Sequence, residues 1–407
     1  MKNYSDAIVI GGGPSGSFAA SKLAKLGADV TVFEEHSEIG VPSHCAGHLS
    51  IKGLRNLGLY PLPEKIVENE FCGANFYSPK GMKFSIRLPS PVTCSVDRSL
   101  FDKYIAEIAR DAGAHYCLGS RVSSLLIEDE FVRSVVVKQS QETEKFSARI
   151  VIDAEGISSR ILRQTGLSAF NRHGFVYAVE AEAENVKDVE CDTVEVFLGK
   201  AYAPGFYAWL IPRRDGTAKV GLAAKTGNPK EFLQRLMLKH PVASRQLGTA
   251  RILRVAFHPM TLGGPIPKTY SNAFLAVGDV ASQVKPTTGG GVVFGMTCAE
   301  VAAEVAYEAL RRNDFSARSL QLYQKRCEEI MGFDMRVMLR IRKMLDAISD
   351  EKMDAAIGFC RKMGLEKSLR SVQEIDFQGQ TLLRVLKKPR MLTILAYFFL
   401  LYLATNP

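Results

Sequence analysis

The sequence predicts an α/β fold, α+β overall, in which a nucleotide-binding domain is interleaved with an antiparallel β-sheet and followed by helices. Three observations predict it. A strand, a glycine turn, a helix and a second strand fit within the first 34 residues, alternating strand patterns fill most of residues 174–260, and residues 316–407 have a helical pattern. A buried strand with a glycine-rich turn returns near residue 273, so the predicted domains are discontinuous in the chain.

The N-terminal pattern is that of a Rossmann-type dinucleotide-binding unit. Residues 6–10 (DAIVI) form a short apolar run typical of a buried parallel strand, and a helix to about Leu26 leads to the next strand at 28–33. The intervening turn has the pattern G-x-G-x-x-G, formed by Gly11, Gly13 and Gly16. These glycines permit a tight turn and close approach to a pyrophosphate, and the acid Glu34 lies where a ribose would be bound. The alternative is a glycine turn that only packs helix on strand.

The remaining elements follow from hydrophobic periodicity, taken in chain order. Alternating apolar and polar residues predict strands, and apolar stripes with a helical period predict helices. The predicted strands lie within residues 72–88, at 121–127, 132–138 and 148–153, in several runs between 174 and 260, and at 273–277. The predicted helices begin near Leu49 and cover about 97–112, 229–238 and 291–312.

A chain of 407 residues, 46% hydrophobic and 23% charged, predicts a globular protein of two or three domains. The predicted nucleotide-binding domain comprises residues 1–71, 95–170 and 270–315. An antiparallel-sheet substrate domain comprises residues 72–94 and 171–269, and a helical C-terminal region covers 316–407. Because the first strand begins almost at once, with no signal peptide before it, we expect a cytoplasmic protein.

The spacing of the cysteines and the distribution of charge exclude several classes of function. The eight cysteines include no C-x-x-C pair, which argues against a zinc ribbon, an iron–sulfur site and a disulfide framework, so we expect no metal. The formal net charge is +9, and residues from Ser316 onward hold 16 Lys and Arg against 10 Asp and Glu, a net +6. Nucleic-acid signatures are missing from the sequence, so we expect no nucleic-acid partner and favour lipid or a phosphorylated substrate.

The last segment combines a basic cluster with an apolar run. Residues 387–390 (KKPR) precede residues 391–404, which carry no charge and are too short for a comfortable bilayer span of about 20 residues. Two interpretations stay open. The run is a terminal helix packed against the protein, or it lies in the membrane interface as a peripheral contact, with Tyr397 and Tyr402 at the head groups.

Several of these motifs together resemble the flavoprotein-hydroxylase superfamily. They are the glycine motif with Glu34, Asp97 with Arg98, the turn at 153–156 (DAEG) and the segment 276–279 (AVGD). Within it, two stretches are similar to the geranylgeranyl reductase family. Residues 204–212 (PGFYAWLIP) are similar to its Tyr-x-Trp-x-Phe-Pro element, and residues 39–45 (IGVPSHC) resemble its cysteine-bearing loop. The resemblance extends from Asp6 to about Arg312.

The resemblance implies FAD as the cofactor. It places Asp279 at the ribityl chain, backbone N–H groups of residues 287–291 at the pyrimidine end of the flavin, and Arg98 at the diphosphate or flavin edge. The alternative for residues 287–291 is a simple helix cap, and the alternative for Arg98 is an ordinary surface arginine. The implied cofactor-binding residues are Gly11, Gly13, Ser15, Gly16, Glu34, Cys45, Ala46, His48, Arg98, Val122, Asp279, Gly290, Gly291 and Val292.

The resemblance further implies Cys45, Tyr207 and Trp209 as the catalytic residues. The Cys45 thiol would donate a proton or shield the site, and the alternative is an inert buried cysteine. Tyr207 and Trp209 occupy alternate positions of a strand and share a face, where they line an isoprenoid tunnel or simply pack in the core. Two departures from the family pattern are Glu155, where the superfamily has Asp, and His48, where the loop has glycine.

The implied activity is an FAD-dependent hydrogenation of carbon–carbon double bonds in geranylgeranyl (polyprenyl) chains of archaeal-type membrane lipids. The partners would be the polyprenyl lipid and an external electron donor, ferredoxin or NAD(P)H. Two alternatives stay open: an FAD-dependent monooxygenase or quinone-linked oxidoreductase of the same superfamily, and a flavoprotein that binds prenyl lipid without turnover.

Overall fold

The structure is a computed structural model that describes residues 3–140, 142–170, 174–369, 374–385, 392–393 and 396–397. Within these ranges the strands are β1 (Tyr4–Ile10), β2 (Val30–Phe33), β3 (His48–Ser50), β4 (Val67–Phe71), β5 (Gly73–Tyr77), β6 (Lys83–Arg87), β7 (Thr93–Val96), β8 (His115–Cys117), β9 (Ser120–Glu128), β10 (Phe131–Gln139), β11 (Glu142–Asp153), β12 (Phe175–Glu184), β13 (Thr193–Phe197), β14 (Ala208–Pro212), β15 (Ala218–Ala224), β16 (Arg251–Thr261), β17 (Tyr270–Ser271) and β18 (Phe274–Ala276). The α-helices are α1 (Pro14–Lys25), α2 (Ile51–Asn56), α3 (Arg98–Asp111), α4 (Pro229–Lys239), α5 (Ala243–Leu247), α6 (Val292–Arg312), α7 (Ala317–Ala347), α8 (Asp350–Lys362), α9 (Leu365–Leu369) and α10 (Gln378–Val385).

The chain divides into two compact units, each built from three separate segments. Unit 1 comprises residues 1–43, 98–174 and 261–333, and unit 2 comprises residues 44–97, 175–260 and 334–407. The α/β fold class is confirmed. The predicted domain bounds differ from the unit bounds by up to some tens of residues. The division into a cofactor domain and a substrate domain stays a prediction.

Unit 1 is built on a largely parallel sheet in the order β17-β18-β11-β1-β2-β8, to which the β9–β10 hairpin is added through β11. The buried parts of the central strands are mainly apolar, and Ile8, Val9, Val32 and Ile152 are at most 1% exposed. Helix α1 packs against α3 and α6. Because Ile10 pairs with both Phe33 and Asp153, the carboxyl ends of β1, β2 and β11 meet at one edge, where ligands of open α/β sheets bind.

The strands predicted for unit 1 are present, with one difference in length. β11 was expected over residues 148–153, whereas it begins at Glu142. Its first half pairs antiparallel with β10 and its second half pairs parallel with β1 and β18, so one strand has three neighbours. The charged residues of that first half are exposed, and for this reason the apolar pattern marks only the second half.

Unit 2 contains a seven-stranded sheet in the order β16-β12-β15-β14-β13-β5-β6 and a small sheet, β3-β7-β4. One face of the large sheet packs against α4 and α5 through a core that includes Val179, Leu210, Leu222, Leu233 and Leu236. Most neighbours are antiparallel as predicted, but β5 and β13 run parallel. These two strands come from chain segments far apart in sequence, so no hairpin dictates their direction.

The helix expected near Leu49 begins at Ile51 instead. Residues 48–50 form β3, which pairs with β7, and the Ser50 hydroxyl then caps α2 by accepting the Gly53 N–H at 3.0 Å. The C-terminal run 391–404 lies almost entirely outside the described residues, so its predicted position stays a prediction. Among the described residues, no helix has both the length and the apolar character required to cross a bilayer.

Candidate functional site

The glycine turn at the edge of the unit 1 sheet is shaped by close backbone packing. Gly11 has a φ of +96°, and a Cβ there would overlap the Ala154 carbonyl oxygen. A Cβ on Gly16 would overlap the Gly11 carbonyl oxygen. Both positions therefore require glycine for the turn itself, whether or not a ligand is bound.

Gly13 differs from these two glycines. Its φ is −69°, which any residue adopts, and no protein atom lies within 4 Å of the Cβ that a side chain would add. Gly13 is the N-cap of α1, whose first N–H groups have no acceptor within the helix. An open volume beside a helix N-terminus suits an anionic diphosphate. The protein's own packing therefore does not require glycine at this position, and the space beside the helix N-terminus is open.

Glu34 directly follows β2 at the same edge and is 9% exposed. Its Oε2 accepts the Gly12 N–H at 2.7 Å, and its Oε1 accepts the His36 N–H at 2.9 Å. The Glu34 carbonyl oxygen accepts the Ser120 N–H at 2.8 Å, which holds β9 beside the turn. Val122, buried two residues further along β9, thus belongs to the same region as Glu34. The carboxylate lies where a ribose is expected.

A second group of predicted residues meets at the start of α6. Gly291 is the N-cap of this helix and Val292 its first residue. A Cβ on Gly291 would lie 2.7 Å from Asp279 Oδ1, and one on Gly290 would lie 2.8 Å from Lys285 Cε. Gly291 therefore lets the backbone approach the Asp279 carboxylate closely, and Gly290 lets it approach the Lys285 side chain.

Asp279 and Arg98 lie close enough to affect each other. Burial raises the pKa of Asp279, and the positive charge of Arg98 opposes that rise. The Arg98 guanidinium also binds the Asp102 carboxylate through two hydrogen bonds of 3.1 Å. Ser15 Oγ would lie 2.8 Å from a Cβ on Gly278, so Ser15 packs where β18 leads into the Asp279 turn. Unit 1 thus brings together most of its predicted cofactor residues.

Glu155, the first departure from the family pattern, has a structural role. Its carboxylate accepts the N–H groups of Arg160, Ile161 and Leu162 at 2.9, 2.8 and 3.1 Å. The side chain thus caps the turn that follows it. This engagement explains why a longer carboxylate stands at this position.

The cysteine loop belongs to unit 2. Cys45 is exposed, and its Sγ accepts the Gly47 N–H at 3.4 Å. The Ala46 carbonyl oxygen accepts a hydrogen bond from Lys219 Nζ at 3.0 Å. His48, the second departure, lies 2.8 Å from the Thr93 hydroxyl through Nε2, and its ring meets Phe71 edge-on at 5.5 Å.

Tyr207 and Trp209 lie together, with ring centroids 5.9 Å apart in an edge-to-face arrangement. Burial raises the pKa of the Tyr207 hydroxyl. Trp209 packs against an apolar cluster of Phe71, Val194 and Ile211, and Ala46 packs against the same cluster. The structure therefore brings the loop that carries Cys45 to the same side of the unit 2 sheet as Trp209.

Two charged residues on this side of the sheet were not predicted. Glu180 in β12 pairs with Gly221 in β15, and Gly221 pairs with Trp209 in β14. A Cβ on Gly221 would lie 2.6 Å from the indole, so the Trp209 ring crosses above this glycine. Burial raises the pKa of Glu180 to about 7, while Lys219 and the Trp209 side chain favour its charged form.

Glu180 escaped prediction because alternating Glu180, Glu182 and Glu184 are typical of a solvated strand face. The burial of Lys219 could have been predicted from the sequence. This lysine is a single charged residue within the apolar run 218–224 (AKVGLAA), and it is 4% exposed. A lysine in such a run is buried only when it is paired.

The chain is similar to known flavoproteins and reductases over nearly its full length. The FAD binding domain family matches residues 4–330. The chain is 34% identical to digeranylgeranylglycerophospholipid reductase 2 of Methanopyrus kandleri, over 94% of this chain and 95% of that protein. It is 33% identical to digeranylgeranylglycerophospholipid reductase 2 of Methanothermobacter thermautotrophicus, over 96% and 98% respectively.

Among solved structures, a geranylgeranyl bacteriochlorophyll reductase-like protein from Thermoplasma acidophilum superposes with a TM-score of 0.86. The match covers 97% of this chain and 99% of that one at 26% identity. The flavin-dependent brominase Bmp2 superposes with a TM-score of 0.71 at 19% identity, a likeness that concerns the fold alone.

Proposed function

Because the chain belongs to the digeranylgeranylglycerophospholipid reductase family, we propose that it saturates carbon–carbon double bonds in geranylgeranyl chains of membrane lipid precursors, with FAD as cofactor. The observation that carries this conclusion is sequence identity of 33–34% with reductases over nearly the full length of both chains. The monooxygenase and quinone-linked alternatives are not favoured, since structural likeness below 25% identity extends only to the fold.

The residues of unit 1 fit FAD. The open volume at Gly13 suits the diphosphate, and the buried Glu34 carboxylate suits the ribose. We assign Gly11, Gly13, Ser15, Gly16, Glu34, Arg98, Val122, Asp279, Gly290, Gly291 and Val292 to cofactor binding. The family resemblance also assigns Cys45, Ala46 and His48 to the cofactor, and this stays a prediction. Reduced FAD, when bound, supplies the hydride for the reaction.

The chain's own residues must supply a proton and exclude water. An isolated alkene has no conjugated carbonyl to hold negative charge, so one carbon of the double bond has to gain a proton as the other gains a hydride. We assign the proton to the Cys45 thiol, which is exposed and lies in a loop packed beside Trp209. Tyr207 and Trp209 provide flat apolar surface for the prenyl chain.

The proposal also includes an external electron donor and a contact with the membrane. We favour ferredoxin or NAD(P)H as the external donor. A cytoplasmic protein bound peripherally at the inner face of the membrane would reach its lipid substrate directly. The net charge of +6 from Ser316 onward and the uncharged run 391–404 support such a contact.

The reaction is tested with the FAD-loaded protein, reduced by dithionite under anaerobic conditions and incubated with digeranylgeranylglycerophospholipid. The proposal expects products heavier by two hydrogens for each bond reduced, measured by mass spectrometry. An absolute requirement for oxygen would favour the monooxygenase. Lipid binding without any mass change under strong reductant would favour the non-catalytic alternative.

The role of Cys45 is tested by Cys45→Ser, with Cys191→Ser as the matched control because Cys191 is also exposed in unit 2. Loss of a general acid lowers turnover by about 100-fold or more. We expect this loss in Cys45→Ser, with the FAD absorbance retained, and native turnover in Cys191→Ser. Native turnover in both variants would remove the thiol from the mechanism.

A further inference from the structure

Lys219 is a buried cation whose three hydrogen-bonding positions are all used. Its Nζ lies 3.0 Å from the Ala46 carbonyl oxygen, 3.0 Å from the Val96 carbonyl oxygen and 2.6 Å from Glu68 Oε2. An ammonium group has three N–H donors and no acceptor. The side chain is therefore fully satisfied in one geometry, and that geometry depends on the position of the Ala46 peptide.

The three acceptors come from three separate parts of unit 2. Glu68 lies in β4, Val96 ends β7, and Ala46 lies in the cysteine loop. The Val96 N–H in turn donates to the Gly47 carbonyl oxygen at 3.0 Å. Lys219 thus extends from β15 and forms a hydrogen bond with the peptide that directly follows Cys45. The same ammonium group contacts β4 and β7, so it links the cysteine loop to these two strands.

An ion pair network holds the lysine in place. Arg213 binds the second oxygen of Glu68 at 3.0 Å and Glu182 Oε1 at 3.2 Å. Buried ion pairs contribute little net stability compared with apolar residues of the same size, since both charges lose hydration. The network is therefore poorly explained by stability alone, and it includes a hydrogen bond to the Ala46 carbonyl oxygen, directly beside Cys45.

We propose that Lys219 is a positioning residue for the reductase reaction. Through the Ala46 carbonyl it holds the Cys45 peptide on the sheet face that carries Trp209, so that the thiol keeps one orientation toward that face. The proposal rests on the proposed function of Cys45 as proton donor. It concerns the geometry of the loop, and this can be measured independently of catalysis.

The test replaces Lys219 by methionine, which keeps the length and removes the three donors. Lys83→Met is the matched control, because Lys83 forms an ion pair with Glu190 at 3.4 Å in the same sheet but is exposed. The first readout is the rate of iodoacetamide alkylation at Cys45 relative to Cys191, the other exposed cysteine among the described residues, measured by mass spectrometry. The second is the kinetics of lipid reduction.

We expect Lys219→Met to change the Cys45-to-Cys191 alkylation ratio at least about threefold and to lower kcat about tenfold, which corresponds to about 1.4 kcal/mol. The KM for lipid and the FAD content should stay within about twofold of native, because no substrate or cofactor contact is removed. Lys83→Met should match the native protein in kcat, KM and FAD content. Its alkylation is compared at Cys45 alone, because Glu190, the partner of Lys83, directly precedes the reference residue Cys191. A folded Lys219→Met variant with native alkylation ratio and native kcat would overturn the proposal.

Lys219→Met leaves Glu68 with Arg213 as its remaining partner and could fail to fold. The double variant Lys219→Met/Glu68→Gln removes both charges, and the same changes at Cys45 are expected in it. Failure of the proposed function is distinguishable, because native turnover in Cys45→Ser would reject the proton donor. The alkylation ratio would still decide whether Lys219 positions the loop.

Discussion

Ionisation of Glu180 opposes folding, and the effect can be isolated by Glu180→Gln. Burial raises the pKa of Glu180 from its ordinary value of 4.5 to about 7. The folded protein therefore holds this proton more tightly than the unfolded chain, and stability falls as the pH rises from about 4.5 to about 7. Linkage between those two values amounts to about 3 kcal/mol, most of which falls between pH 5 and pH 8.

Glutamine cannot ionise, so the variant escapes this loss. We expect the free energy of unfolding of Glu180→Gln, relative to native, to increase by about 2–3 kcal/mol between pH 5 and pH 8. Urea denaturation of the apoprotein measures it at both pH values. Glu184→Gln is the control, since Arg251 lowers the pKa of the partly exposed Glu184 in the same strand, so this carboxylate stays ionised from pH 5 to pH 8 and its variant should show no such pH trend.

The chain supplies its own reporter for this titration. Trp209 is the single tryptophan of the sequence, and its side chain favours the charged form of Glu180. Trp209 fluorescence in the folded apoprotein should change with a midpoint near pH 7, and the change should vanish in Glu180→Gln. If the stability difference between variant and native stays constant within about 0.5 kcal/mol from pH 5 to pH 8, the burial argument is wrong.

Three further outcomes follow from the described geometry. Gly13→Ala should fold with native stability and bind FAD about 100-fold more weakly, a loss of about 2.7 kcal/mol in binding free energy measured by titration. Gly16→Ala should instead lose stability, because its methyl group overlaps the Gly11 carbonyl oxygen. Equal FAD affinity in Gly13→Ala and native protein would contradict the diphosphate assignment. Gly221→Ala should cost about 1–3 kcal/mol in urea denaturation and shift Trp209 fluorescence, because the added Cβ lies 2.6 Å from the indole; a native spectrum would contradict this packing. Deletion of residues 391–407 should reduce sedimentation with anionic liposomes, and undiminished sedimentation would exclude this segment as the membrane contact.

The sequence predicted the fold well wherever burial and periodicity agree. The apolar strands β1, β2 and β18 and the glycine turns carry strong local signals, because fully buried parallel strands are uniformly apolar and tight turns need glycine. The local sequence pattern did not predict strand β3. Three residues that pair with β7 resemble the first turn of the helix that follows them, since short strands depend on a distant partner.

The site was predicted in part. Motif glycines and acids such as Glu34 are recognisable because their spacing along the chain is itself the geometry of the turn. Glu180 and Lys219 were missed because their importance comes from strand register. Glu180 lies opposite Gly221 and Lys219 reaches Ala46, two relationships that join residues 41 and 173 positions apart. No local pattern contains that information.

The strand order of unit 1 also constrains how the protein is made. The first 34 residues contain the glycine motif, yet β11 lies between β1 and β18, and β18 is completed only at Ala276. A ribosome that has finished half of the chain has therefore released only part of this sheet and none of the Asp279 turn or α6. The cofactor site proposed above is therefore complete only after synthesis of about the first 300 residues.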